Sequence, residues 1–139
     1  MLSFLKKYFK KAEQKKGFVP QVDHVVAVKV TGIEKHPNAD RLRVITLFDG
    51  NRTITPVVCG AFNFNIGAIV ALALPGAQIA RNIHSETHEP FTLSTATIRG
   101  VESQGMICAE FELGMAEKLS DKPEVLILPE DTPLGKILF

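Results

Sequence analysis

The sequence predicts an all-β fold, a small barrel or sandwich, behind an amphipathic N-terminal helix. Three observations carry this. From Val22 onward, apolar residues alternate with polar ones or gather in short blocks rich in Val and Ile, the pattern of half-buried and fully buried strands. Turn residues punctuate the chain at intervals of roughly eight to twelve residues. No strong helical period appears in the interior; the one clear case is the opening seventeen residues.

In chain order, Leu2, Leu5, Phe9 and Ala12 recur at helical spacing, joined by Met1 and Tyr8, with lysines on the other side; Gly17 and Pro20 end the pattern. Such a segment suits three roles: packing on the domain, a basic arm for nucleic acid, or a membrane-surface helix. VDHVVAVKVTGIE reads as the first strand, with His24 inside it as a structural residue, and LRVITLFDG as the second. Asp49-Gly50-Asn51 is a hairpin turn, because Gly and Asn accept positive φ. RTITPVV follows. Pro56 has no N–H to give a ladder, so it belongs at an edge or a bulge. CGAFNFNIG reads as a loop, and AIVALAL as a buried strand closed by Pro75-Gly76. EPFTLSTATIRG and QGMICAE read as two more strands on either side of a turn at Gly100–Ser103, and VLILPEDTPLG ends the chain.

At 139 residues the chain is sized for one domain, divided as a basic arm over 1–20 and a β domain over 21–139. No apolar run reaches the ~18 residues a membrane span needs, and the N-terminus lacks the layout of a secretory signal. Cys59 and Cys108 lie in apolar sequence and read as reduced, buried thiols of a cytoplasmic protein, with a disulfide as the alternative. The net charge of +1 hides an asymmetry. Met1–Gly17 holds six lysines against Glu13, whereas the remainder holds ten Lys or Arg against fourteen Asp or Glu. The basic end favours a polyanion or an anionic surface.

No enzymatic constellation stands out. His84 and His88 lie in a polar loop without a third ligand, so no metal is expected. The phosphate-binding and dinucleotide-binding glycine motifs are missing, so no cofactor is expected. Nothing in the sequence logic ties a histidine to Cys59 as a base.

Binding is the better reading, and KHPNADRLR is its first element. Pro37 stiffens the turn, and Asn38 and Asp40 are able to bond local backbone. Asn38 also suits a base edge, with Lys35, Arg41 and Arg43 as phosphate donors beside it. RGVESQGMICAE offers Arg99 and a mixed Ser103, Gln104 and Met106 surface. For each of these segments the plain alternative is a turn or bulge that serves only the fold.

HPNADRLRV, VVCGAFN, ALPGAQI and IRGVESQGMICAEFELGM, in that order, closely resemble the tRNA-binding domain family. With ILPEDTPLG following, the wording is most similar to the module at the N-terminus of the bacterial phenylalanyl-tRNA synthetase β-subunit. The resemblance runs from about Val25 to Gly135. It implies a five-stranded oligonucleotide-binding (OB) barrel that grips the outside of folded tRNA without reading the anticodon. By motif, Asn38, Asp40, Ser103, Gln104 and Met106 fall in the binding region. Arg41, Arg43 and Arg99 are the implied phosphate contacts, and Asp40 is expected to orient its loop by hydrogen bonds. The implied partner is tRNA, with an aminoacyl-tRNA synthetase or a second copy as protein partners. The alternative is a protein-interaction or membrane-surface module that keeps the barrel and not the RNA. Three features depart from the family pattern: the basic start, Phe62 in CGAFNF, and the weakly basic loop GAQIARNIHSETHEP.

Overall fold

The computed structural model describes residues 22–139. The expected helix over 1–20 lies outside them. Ten strands and no helix are found among the described residues. The long ones are β1 (Val25–Lys35), β2 (Arg43–Phe48), β3 (Thr53–Cys59) and β4 (Ile69–Ala73). The short ones are β5 (Gln78–Ile79), β6 (Phe91–Thr92), β7 (Ala96–Ile98), β8 (Val101–Ser103), β9 (Met106–Ile107) and β10 (Ile127–Leu128).

The main sheet is antiparallel in the order β10-β4-β1-β2-β3, with β9 also paired to β4. β1 has two halves. Val25–Lys29 pairs with β4, and Lys29–Lys35 pairs with β2 across a register shift between Val30 and Gly32. Gly32 faces Thr46 so closely that a Cβ there would lie 3.2 Å from the Thr46 Cβ, which explains a glycine in a strand of valines.

Two apolar clusters flank β1 and β4. Val28, Val30, Val70 and Leu72 point into one, with Ile45, Leu47, Ile54 and Val57 of β2 and β3. Val25, Ala27, Ile69, Ala71 and Ala73 point into the other. Both faces of β4 are therefore buried, which is why its sequence, IVALA, does not alternate. The second cluster is covered by residues 77–93, by 108–115 and by the C-terminal segment, where Leu138 N–H donates to Val25 C=O at 2.8 Å.

Pro56 meets both of its expectations. It lies in β3, at the end of the ladder, where the β2–β3 register shifts between Ile45 and Leu47. The ladder does not run continuously from β3 round to β9. Two hydrogen bonds link those edges instead: Gln104 N–H donates to Pro56 C=O at 2.9 Å, and Val58 N–H donates to Ser103 Oγ at 3.0 Å.

The later half departs from the expected strands. EPFTLSTATIRG holds two short strands, β6 and β7, in separate sheets. Val101–Ser103, expected in a turn, is β8, and the turn is Arg99-Gly100, with φ of +53° and +89°. Two consecutive residues at positive φ between paired Ile98 and Val101 make a tight hairpin whose twist matches its strands. His24 precedes β1 rather than lying in it; it is exposed, and its Nδ1 lies 3.0 Å from Asp23 Oδ1. Cys59 and Cys108 are free and buried, and burial pushes both thiols above their ordinary pKa. His88 packs its ring edge-on against Phe111.

Candidate nucleic-acid interface

The bend between β1 and β2 is anchored from within. His36 is buried in an otherwise exposed turn. Asn38 N–H donates to its Nδ1 at 3.0 Å, so that nitrogen is the acceptor. The proton then sits on Nε2, which donates to Ile98 C=O at 3.0 Å. Asn38 Nδ2 donates to Arg99 C=O at 2.9 Å, and Gly100 leaves room for it, since a Cβ there would lie 3.4 Å from the same nitrogen. The first bend is thus docked on the tip of the β7–β8 hairpin. Asn38, Arg99 and Gly100 come together although the sequence holds them about sixty residues apart.

A third segment, Cys59–Phe64, joins this end of the sheet. Arg43 Nη2 donates to Ala61 C=O at 3.2 Å and to Phe64 C=O at 3.1 Å. Its guanidinium carbon lies 4.5 Å from the Phe62 ring centre and 4.6 Å from that of Phe64. Asn63 bonds the Val125 backbone twice, donating from Nδ2 to its C=O at 3.0 Å and accepting its N–H on Oδ1 at 2.9 Å.

Of the nine residues singled out by sequence, Asn38 meets Arg99, Lys35 meets Asp40 and Ser103 lies against β3, whereas Met106 pairs with Ala73 of β4; their states are unequal. Lys35, Arg41 and Arg99 are exposed. Arg43 is half-buried and committed to the loop, so it is a clamp more than an open phosphate donor. Ser103 is buried; it accepts from Val58 N–H and donates to Gly105 C=O at 2.8 Å, which occupies the hydroxyl inside the fold. Gln104 Nε2 turns back on the Glu102 side chain at 3.3 Å. Met106 is half-buried and packs on the second cluster. Asp40 makes no loop hydrogen bond among the described contacts; it is exposed, and its carboxylate lies 3.4 Å from Lys35 Nζ. Sequence reasoning missed His36 as the anchor, and the His-Pro step before the bend was the available signal.

The rim carries Lys35, Arg41, Arg43 and Arg99 against Glu34, Asp40 and Glu102, a slight positive excess. Beside it opens a groove of about 850 Å³, lined by Leu42, Leu93, Ile98, Phe111 and Val125 among others. Its lining is mainly apolar, so the exposed cations of the rim suit phosphate better than the groove does. The buried Glu112 borders the groove. Burial raises its carboxyl to a pKa of about 7, against the opposing effect of a 2.9 Å hydrogen bond from Ala109 N–H.

Residues 25–137 match the family described as "Putative tRNA binding domain". The chain is 46% identical over 114 residues to the phenylalanine–tRNA ligase beta subunit of Chlamydia pneumoniae, covering 82% of this chain and 14% of that protein. It is 41% identical over 119 residues to the same subunit of Dechloromonas aromatica, covering 86% and 14%. The chain thus spans about one seventh of the length of these relatives. Among solved structures, a MetRS related protein from Pyrococcus horikoshii superposes with a TM-score of 0.58 at 20% identity, over 85% of this chain and 90% of that one. The C-terminal domain of Plasmodium vivax p43 superposes with a TM-score of 0.56 at 17% identity, over 86% and 61%. A family match across the whole β domain, beta-subunit relatives above 40% identity and a shared fold place this chain in the tRNA-binding domain family.

Proposed function

We propose that this chain works as a non-catalytic module that holds tRNA by shape and backbone charge. One observation supports the reading: His36 and Asn38 lock the β1–β2 bend, which carries the exposed Arg41, onto the β7–β8 hairpin, which carries the exposed Arg99. Exposed cations on an anchored backbone suit a folded polyanion, because little loop ordering is left for binding to do. Asn38 keeps its carbonyl oxygen for a base or ribose, and Ser103, Gln104 and Met106 belong to the same proposed binding region, with Ser103 holding the edge of β3. We read the architecture as a five-stranded barrel, with Ser103 and Gln104 joining β3 toward β9 in place of a continuous ladder.

The lysine-rich segment Met1–Lys16 adds charge that a rim of mixed sign lacks. A synthetase, or a second copy meeting through the exposed Ile137, is the protein partner that fits this role. A gel-shift titration with total tRNA at low and moderate salt tests the reading. Binding that weakens as salt rises is expected; no shifted band at any salt would remove it.

A further inference from the structure

We propose that Phe62, backed by Arg43, is a platform on which an unpaired nucleobase of the bound tRNA stacks. The inference rests on the tRNA-binding reading above and goes beyond it, since shape and charge alone need no aromatic group.

Phe62 is 55% exposed, unusual for a ring next to a packed core. It is also held. The Arg43 guanidinium covers one face at 4.5 Å from the ring centre, and that guanidinium is itself fixed by Ala61 C=O, Phe64 C=O and the Phe64 ring. On the other side in sequence, Asn63 is pinned to Val125 by its pair of hydrogen bonds. Phe64 is buried. With the guanidinium over the ring and both flanks anchored, more than half of Phe62 is still open to solvent.

Its position fits the same ligand. Gly60 lies against the first bend, where a Cβ would come within 3.4 Å of Leu42 and 3.8 Å of Arg41 C=O. The ring is therefore part of the end that carries Arg41. An exposed aromatic beside backbone-binding cations is how proteins hold unpaired bases, because every base offers a π-face and the cations hold its phosphate. The guanidinium behind the ring strengthens the arrangement through the ring's quadrupole. A fully paired duplex presents free base faces only at its two ends, so the platform favours folded RNA with open loops over plain duplex.

The chain contains no tryptophan, so Phe62→Trp in the full chain places a lone reporter at the site. Total tRNA and a blunt, fully paired RNA duplex of similar length are titrated against it at the same low salt, with a gel shift in parallel. Quenching of Trp emission by tRNA and not by the duplex is expected. Phe62→Leu, whose melting curve reports any loss of fold, is expected to bind tRNA about tenfold more weakly and the duplex unchanged. A tRNA gel shift without quenching, or unchanged tRNA affinity of a folded Phe62→Leu, overturns the platform while leaving the tRNA-binding reading intact. Failure of the wild-type chain to bind tRNA overturns both. An emission change that follows protein concentration without RNA assigns the ring to a contact between copies and also overturns the platform.

Discussion

Arg41 and Arg43 stand two residues apart and have different work. Arg41 is exposed, whereas Arg43 spends its guanidinium on two carbonyls and two rings. Arg41→Ala should leave the melting temperature unchanged, weaken tRNA binding several-fold and reduce the slope of log affinity against log salt by about 0.7–0.9. Arg43→Ala should instead lower stability by about 1–3 kcal/mol, seen in urea unfolding, because it leaves the CGAFN loop without its clamp. Glu112 belongs to the same scale. Its folded pKa of about 7 lies above the ordinary carboxyl value of 4.5, so the folded state binds the proton more tightly. Stability from this group is therefore full below about pH 4.5 and is lost as pH rises through 7, by about 3 kcal/mol in all. Glu112→Gln keeps an oxygen to accept the Ala109 N–H and carries no charge. It should be more stable than the wild type at pH 8 and no more stable at pH 4, as thermal melts at the two values would show.

At the scale of the element, the β7–β8 hairpin holds a compromise. A tight turn with two positive φ values favours Asn-Gly, yet its first residue is Arg99. An arginine in the left-handed region costs about 1 kcal/mol relative to a residue that tolerates it. Arg99→Asn should raise stability by up to about 1 kcal/mol while weakening tRNA binding, a trade that joint melting and gel-shift measurements would reveal. Ser103 is the opposite case. Its hydroxyl accepts the Val58 N–H at the edge of β3, so Ser103→Ala removes that partner from a buried donor. The expected loss is about 1–3 kcal/mol in chemical denaturation. The difference in legibility follows from length. β1 to β4 are long enough to carry a period or a buried block, and each was visible in sequence. β5 to β10 are two or three residues each, too short for any period, and their pairing is set by what they pack against.

Across the whole molecule the charges are divided, with six lysines before Gly17 and an acidic excess after it. The rim alone is only slightly positive, so the first segment should contribute much of the attraction at a distance. Removal of Met1–Lys16 is expected to weaken tRNA binding and flatten its salt dependence, measured by the same titration on the chain beginning at Gly17. No helix among the described residues is long and apolar enough to cross a membrane.

The amino-acid sequence by itself determined the strand-rich domain, its four long strands and its motif-level kinship. These depend on local alternation, on turn chemistry and on residues close together in the chain. Tertiary structure decided which polar side chains remain open to a ligand. Arg43 and Ser103 look as available as Arg41 and Arg99 when read in a line. Their state is set by partners that are 18 to 21 residues away for Arg43 and 45 away for the Val58–Ser103 bond, and His36 reaches 62 residues to Ile98. A hydrogen bond saturates a group whatever the separation in sequence, and only the folded chain shows which groups have met.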